Sequence, residues 1–153
     1  MPHKNSFYYP TYLFFLLLCN RKTKIYVNLI IDIGNTATKI AIFEQGNIKE
    51  TLRCSNQSLV GISALCERYP IRKGILSSVI SISEEIRQQL SQLPFPVMEF
   101  TYKTPVPIKN LYETPRTLGV DRLAAVVAAF TQKPYCPALV IDAGTCITYD
   151  FID

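Results

Sequence analysis

One short pattern occurs twice in the chain and constrains its fold more than any other feature. The first copy runs from Leu29 to Lys39 and the second from Leu139 to Thr148. In each copy an aliphatic run ends in an aspartate, and a glycine follows two positions later. Such aliphatic runs are typical of strands buried on both faces, and glycine favours a tight turn directly afterwards. The repeat therefore predicts two related β-hairpins that face each other across one site.

The paired aspartates and the glycines that follow them indicate the chemistry of this site. A carboxylate at a strand end can hold Mg²⁺, directly or through water, and glycine lets backbone N–H groups approach a phosphate. A single Asp-x-Gly match more often belongs to a plain turn. Two copies in one chain favour a site for the phosphate chain of a nucleotide and its metal ion. Aligned without gaps, the copies are identical at Leu29/Leu139, Ile31/Ile141, Asp32/Asp142, Gly34/Gly144 and Thr38/Thr148.

Further polar residues surround each aspartate. In the first copy Asn35, Thr36 and Thr38 add hydrogen-bond donors, and Lys39 can neutralise phosphate charge. Neither copy matches a Walker A loop or a dinucleotide-binding fingerprint. The polar groups of the second copy are two hydroxyls and a further carboxylate, on Thr145, Thr148 and Asp150.

A third polar motif lies between the two copies. Asp121 and Arg122 begin an alanine-rich helix, and Tyr112 and Gly119 precede them. One interpretation is structural, because an acid in the first turn stabilises a helix by about 0.3–1 kcal/mol. The other interpretation makes Asp121 a general base and Arg122 a clamp for a carboxylate. Spacing alone does not separate the two.

The hydrophobic periodicity predicts the element order β-β-β-α-β-α-β ahead of the second hairpin. Three antiparallel strands followed by alternating helices and strands indicate an α/β domain of the ribonuclease-H-like (actin-like ATPase) kind. A helix is then expected from Leu118 to Phe130. Strands are predicted at 29–33, 38–43, 48–54, 74–80 and 97–100, and helices at 58–69 and from Ser83 to Leu93.

The N-terminal residues differ from the rest. The apolar run from Leu13 to Cys19 is shorter than the roughly 20 residues that span a bilayer. No small-residue cleavage site follows it. We interpret this segment as a non-native or atypical extension produced by an over-early start, and we expect no membrane partner. The predicted divisions are the extension (1–27), a first domain with a Pro-rich substrate loop (28–117), a connecting helix (118–137), and the first hairpin of a truncated second, similar domain (138–153).

Charge and cysteine content argue against several classes of protein. The net charge is +4, but residues 1–27 carry four basic residues and no acid, so the other 12 basic residues balance the 12 acidic ones. Nucleic-acid-binding surfaces are usually basic, so we expect no nucleic acid partner. The five cysteines form no CxxC pair, and His3 is the single histidine. This composition argues against a zinc site and favours reduced cysteines in a cytoplasmic protein.

Taken in order, the three motifs resemble those of the type III pantothenate kinase family, and the resemblance covers Asn28 to Asp153. That family belongs to the acetate kinase, sugar kinase, heat-shock protein 70 and actin superfamily. The resemblance implies ATP-dependent phosphorylation of pantothenate to 4′-phosphopantothenate, the first step of coenzyme A biosynthesis. The motifs are Asp32-x-Gly-Asn-Thr with Lys39, Gly119-x-Asp121-Arg122, and Asp142-x-Gly-Thr145-x-x-Thr148-x-Asp150.

The resemblance also implies roles for individual residues. Asp121 would be the catalytic base, Asp142 would bind a monovalent cation (K⁺ or NH₄⁺), and Asp32 would bind Mg²⁺. The family is homodimeric, with the pantothenate pocket completed across the interface. ATP would be bound by Asp32, Ile33, Gly34, Asn35, Thr36, Ala37, Thr38, Lys39 and Thr145. Pantothenate would be bound by Tyr112, Gly119, Val120, Asp121 and Arg122.

Other functions remain open from the sequence. The family's adenosine-contacting segment lies in a C-terminal half that these 153 residues do not include, so we expect a truncated, weakly active or inactive kinase. One alternative is a nucleotide-binding transcriptional accessory factor of the same family. Another is a kinase of the superfamily that acts on a sugar or acyl group. The intact Gly119-x-Asp121-Arg122 motif favours the pantothenate kinase.

Overall fold

The core of the protein is a mixed five-stranded sheet. In the computed structural model, which describes residues 27–56, 58–143 and 146–153, the strands are ordered β3-β2-β1-β4-β5. The central strand β1 is antiparallel to β2 and parallel to β4, β2 is antiparallel to β3, and β4 is parallel to β5. The strands are β1 (Val27–Ile33), β2 (Thr38–Glu44), β3 (Asn47–Cys54), β4 (Ile71–Ser78) and β5 (Val97–Glu99).

Three helices cover the two faces of this sheet: α1 (Ile62–Arg68), α2 (Glu84–Ser91) and α3 (Val120–Gln132). Successive side chains of a strand point to opposite faces. On one side Leu29, Ile31 and Ile33 of β1 therefore share a core with α1 and α2. On the other side Ile30 of β1 packs with the buried face of α3. The same alternation directs Asp32 to the α3 side.

Local sequence accounts for the helix starts and turns. Ser83 caps α2, since its hydroxyl accepts a hydrogen bond from the Ile86 N–H, and two glutamates occupy the first turn. Gln45 and Gly46 connect β2 to β3 and have φ of 52° and 83°. A two-residue hairpin turn of this kind requires a left-handed conformation at both of its residues. Gly61, with φ of 89°, immediately precedes α1. The predicted helix start at Ser83 is confirmed.

A second, two-stranded antiparallel sheet follows α3. It consists of β6 (Ala138–Ala143) and β7 (Ile147–Ile152). One face of this hairpin lies against α3, so the helix is held between the two sheets. The other face, here called the outer hairpin face, exposes five large apolar side chains: Leu139, Ile141, Ile147, Tyr149 and Phe151.

The mixed α/β class and the order of elements from Val27 to Glu99 agree with the sequence-based prediction, whereas several boundaries differ. Helix α1 begins at Ile62 instead of Ser58, because Gly61 adopts a left-handed conformation. Strand β4 spans Ile71–Ser78 instead of 74–80 and begins directly after Pro70. Helix α3 is shifted two residues toward the C-terminus of its predicted range.

Almost all of the predicted extension, residues 1–26, lies outside the described residues. Among the residues that the structure does describe, no helix is both long and apolar enough to span a bilayer.

Candidate functional site

The site is built around Asp32, near the C-terminal end of β1. Its side chain is almost fully buried, and the Ser77 hydroxyl donates a hydrogen bond to its Oδ1 at 2.9 Å. Parallel pairing of β1 with β4 places Ser77 directly beside it. Burial raises the pKa of Asp32 above its ordinary value, although the Ser77 hydroxyl and the charge of Lys39 act in the opposite direction. The fold therefore holds a carboxylate where ionisation is costly.

Two more carboxylates lie close to Asp32. Asp121 is in the first turn of α3, and Asp142 is in β6. Both are near enough that their negative charge raises the pKa of Asp32 further. Because α3 lies between the two sheets, the first hairpin (β1–β2) and the second hairpin (β6–β7) bring their aspartates toward the same helix end. The helix α3 contacts both the five-stranded sheet and the second hairpin. That the two hairpins face each other across one phosphate site stays a prediction.

The glycine before Asp121 makes room for this carboxylate. A Cβ at Gly119 would collide with Asp121 Oδ1. The same Oδ1 accepts a hydrogen bond from the Arg122 backbone N–H at 2.8 Å. A side chain at position 119 would therefore displace the acid from its orientation. Val120 lies between Gly119 and Asp121 in the sequence. It is half-buried and packs against the core on the α3 side of the sheet.

Arg122 is engaged by Asp150 of the second hairpin. Its Nε and Nη2 donate to the two carboxylate oxygens of Asp150, at 3.0 and 2.6 Å. The carbon at the centre of the guanidinium lies 5.5 Å from the centre of the Tyr112 ring. Hydrogen bonding to Asp150 is the main cause that raises the pKa of Arg122. The sequence interpretation gave Arg122 to a substrate carboxylate and counted Asp150 among the polar groups of the second copy, but the structure pairs them and so ties α3 to β7.

Replacing Asp150 by Asn is expected to lower the free energy of unfolding by about 1.5–3 kcal/mol, the range for hydrogen bonds to charged groups. The side chains of Arg122 and Asp150 are only 23% and 15% exposed, so water compensates little for the lost charge. Urea unfolding at neutral pH measures the change. Glu44→Gln is the matched control, because its pair with Lys49 is 31% and 44% exposed and should contribute about 0–1 kcal/mol. Equal losses in the two variants would contradict the prediction.

The turn between β1 and β2, here called the first turn (Gly34–Ala37), presents some of the predicted phosphate-binding residues to solvent. The Gly34 N–H donates to the Ala37 carbonyl at 3.1 Å and closes the turn. Asn35 and Thr36 at its tip are exposed, and Lys39 is exposed opposite Asp32.

Two other residues of the predicted phosphate motif are fully buried. Ile33 packs in the core, and its carbonyl accepts from the Val79 N–H. The Thr38 hydroxyl donates to Asn56 Oδ1 at 3.2 Å. The Thr38 hydroxyl is thus hydrogen-bonded within the protein. The exposed donors of the motif are those near the tip of the first turn and the ammonium group of Lys39.

The second hairpin does not repeat the register of the first. In the first hairpin Asp32 pairs with Lys39, whereas in the second Asp142 pairs with Thr148. Thr148 therefore takes the place of Lys39, and not that of Thr38 as the gapless alignment predicts. Its Oγ1 is buried and has no hydrogen-bond partner among the described residues. Gly144 and Thr145, which include one predicted ATP contact, lie outside the described residues.

The sequence analysis missed two polar residues that hold the first hairpin, Ser77 and Asn56. A register argument could have found Ser77, because two parallel strands that begin side by side place Asp32, near the end of β1, beside the end of β4. No local signal pointed to Asn56, whose hydrogen-bonding partners Gly34 and Thr38 lie 22 and 18 residues earlier in the chain.

The described residues form no cluster of three or more histidine, cysteine or carboxylate side chains able to hold a metal ion by themselves. A single carboxylate is nevertheless compatible with Mg²⁺, which usually keeps several waters and binds one or two carboxylates together with substrate phosphates. The buried Asp32, next to the exposed first turn, fits that pattern of ligands.

A five-stranded mixed sheet with acids gathered at the start of a helix has the form of a nucleotide-binding α/β domain. The model of one family, type III pantothenate kinase, matches residues 28–153. The chain belongs to the type III pantothenate kinase family.

Similar proteins named type III pantothenate kinase occur in several bacteria. That of Phocaeicola vulgatus is 59% identical over 127 residues, which cover 83% of this chain and 52% of the relative. A relative from Bacteroides fragilis is 54% identical over the same shares. One from Christiangramia forsetii is 40% identical over 81% of this chain and 51% of its own length. The chain thus spans about half the length of the curated relatives it matches.

Proposed function

We propose that the protein transfers the γ-phosphoryl group of ATP to pantothenate and forms 4′-phosphopantothenate, the first step of coenzyme A biosynthesis. The placement of Asp121 at the start of α3, which contacts both the sheet that carries Asp32 and the hairpin that carries Asp142, is the observation that carries this proposal. Family membership supports pantothenate as the acceptor. The names of the relatives reported above do not favour the alternative of a transcriptional accessory factor.

Asp121 acts as the general base in this proposal. The acceptor is a primary alcohol, a weak nucleophile at neutral pH, and it must lose a proton as the phosphoryl group is transferred. The Arg122 backbone N–H holds the Asp121 carboxylate, and the space over Gly119 lets the carboxylate lie there. Its Oδ2 is left to accept the proton from the alcohol. Tyr112 and residues 119–122 form the pantothenate side of the site.

Arg122 orients the substrate through the N–H groups that Asp150 does not use. A guanidinium has five N–H donors, and the bidentate pair with Asp150 occupies two of them. Since Asp150 and Tyr112 both restrict the guanidinium, its remaining donors are presented in one direction. Such a preorganised group suits the recognition of a carboxylate or amide of pantothenate.

The ATP phosphates lie against the first turn and Lys39 in this proposal, with Thr145 as a further contact. Asp32 would hold Mg²⁺, and Asp142 would hold the monovalent cation K⁺ or NH₄⁺. When bound, these cations offset the negative charge of the phosphates beside the three aspartates. The backbone donors of the first turn and the Lys39 ammonium group stabilise the charge that develops on the transferring oxygens.

The wider architecture is also proposed. The sheet order is consistent with the ribonuclease-H-like arrangement of residues 28–117, joined by the 118–137 connection to a second, similar domain that begins at 138–153. The outer hairpin face is the surface on which the rest of that domain would pack, because five large apolar side chains there are exposed. We further propose a cytoplasmic homodimer without nucleic acid or membrane partners.

Pantothenate-dependent release of ADP tests the proposed function. The assay uses Mg²⁺, K⁺ and a fusion of residues 28–153 to the second half of the Phocaeicola vulgatus relative, here called the fusion protein. We expect ADP release that disappears when pantothenate is omitted, and little or no activity from the 153-residue chain alone. A folded fusion protein that hydrolyses or binds ATP without any response to pantothenate would contradict the assignment.

A further inference from the structure

Asn56 joins the two ends of the first turn although it lies outside every motif found in the sequence. It follows β3 and is separated from that strand only by Ser55. Its Nδ2 donates to the Gly34 carbonyl at 2.7 Å, and its Oδ1 accepts from the Thr38 hydroxyl at 3.2 Å. One side-chain amide thus bonds to residues on both sides of the exposed tip.

The bond to the Gly34 carbonyl orients a whole peptide unit. The peptide group between Gly34 and Asn35 is planar and trans, so its C=O and N–H point in opposite directions. Thr38 shares the face of β2 that packs against α1 and α2, and Asn56 bonds to it there. Drawing the Gly34 carbonyl toward Asn56 therefore turns the Asn35 N–H away from that face, toward the side of Asp32.

We propose that Asn56 is a positioning residue for phosphate binding, which aims the Asn35 backbone N–H at the nucleotide phosphates. This inference rests on the proposed function, because it takes the first turn to be the phosphate-binding element. It assigns Asn56 no contact with ATP. It also explains the buried hydroxyl of Thr38, which holds the Oδ1 of Asn56 so that its Nδ2 faces the Gly34 carbonyl.

Asn56→Ala removes both bonds, and Asn47→Ala is its matched control. Asn47 also donates from its Nδ2 to a backbone carbonyl in a hairpin turn, that of Gln45 at 3.2 Å, but in the β2–β3 turn. The two variants therefore lose similar side chains and similar bonds. Asn56→Asp is the second variant if Asn56→Ala fails to fold, since it keeps the acceptor for Thr38 and loses the donor to Gly34.

The first measurement uses the free 153-residue chain labelled with ¹⁵N. The residual dipolar coupling of the Asn35 N–H reports the orientation of that bond. We expect it to change in Asn56→Ala or Asn56→Asp and to remain as in the wild type in Asn47→Ala. An unchanged Asn35 coupling in the Asn56 variants would overturn the inference, because the peptide unit would then be oriented without Asn56.

The second measurement is the affinity of the fusion protein for MgATP, followed by amide shifts of the first turn. We expect the dissociation constant to rise at least tenfold in the Asn56 variants and less than twofold in Asn47→Ala. Unchanged affinity in a variant with a reoriented Asn35 N–H would overturn the inference about Asn56 but not the proposed function. A wild-type fusion protein whose first turn does not respond to MgATP would instead overturn the phosphate-binding role on which the inference rests.

Discussion

Replacing Asp121 by Asn in the fusion protein is expected to lower kcat for pantothenate phosphorylation by about 10²–10⁴-fold, the contribution typical of a general base. Asn keeps the size of the side chain, and its Oδ1 can still accept from the Arg122 N–H. It cannot take a proton from the alcohol. Because substrate contacts remain, KM for pantothenate should change much less than kcat. Steady-state kinetics with varied pantothenate at saturating ATP separates the two effects.

The control for Asp121→Asn is Glu113→Gln, which removes a negative charge from an exposed residue next to Tyr112. We expect it to alter kcat less than twofold. Unchanged turnover in Asp121→Asn would remove the assignment of the base. A lower free energy of unfolding without a kinetic effect would instead favour the structural interpretation, in which an acid at a helix N-terminus contributes about 0.3–1 kcal/mol.

The first hairpin could be predicted from sequence because its signals are local. The aliphatic run before Asp32 marks a central strand, and Gly34 directly after it favours a tight turn into β2. The convergence of Asp32 with Asp142 could also be predicted, since a repeated motif implies related positions in two related units. These inferences depend only on spacing and residue type.

The register of the second hairpin could not be predicted in the same way. A gapless alignment assumes turns of equal length, whereas the observed pairing of Ala143 with Ile147 spans one residue fewer than that of Ile33 with Thr38. That difference moves Thr148 to the face of Asp142. Nothing in the residue types requires the shorter connection.

Long-range polar contacts were the other part that sequence reasoning could not supply. The pairing of Arg122 with Asp150 was not predicted, because their shared bond depends on how β7 packs against α3. Asn56 follows a strand at a position that any polar residue could occupy. A residue separation of 18 to 28 leaves no periodic signal, so only the folded geometry identifies these partners.

Replacing Asp32 by Asn is expected to stabilise the fold while weakening nucleotide binding. The charged form of Asp32 is disfavoured by burial and by repulsion from Asp121 and Asp142. A neutral amide removes that cost, and its oxygen can still accept from the Ser77 hydroxyl. We expect the free energy of unfolding at pH 7 to rise by about 0.5–2 kcal/mol, in the range of stabilising substitutions that sacrifice function. Urea unfolding of the 153-residue chain measures this gain.

The pH dependence of that gain follows from the raised pKa of Asp32. Above its folded-state pKa, wild-type Asp32 is charged in both states and destabilises the folded state. As pH falls through the folded-state pKa, the buried carboxyl takes up a proton and the cost disappears. The difference in free energy of unfolding between Asp32→Asn and the wild type should therefore be largest near neutral pH and shrink on acidification. In the fusion protein, Asp32→Asn should lower the affinity for MgATP at pH 7 at least tenfold, about 1.4 kcal/mol.

Glu50→Gln is a control for the Asp32 experiment in which the change in free energy of unfolding should have the opposite sign. Hydrogen bonds from Arg68 at 2.6 Å and from the Tyr69 hydroxyl at 3.0 Å hold the pKa of Glu50 below its ordinary value. Its ionised form therefore stabilises the folded state above the unfolded-state pKa, and this contribution is lost as pH falls through the folded-state pKa. Glu50→Gln should destabilise the chain at neutral pH and leave MgATP affinity unchanged. If Asp32→Asn were also destabilising at neutral pH, the charged form of Asp32 would stabilise the folded state. The prediction that the candidate site lowers the free energy of unfolding would then be wrong.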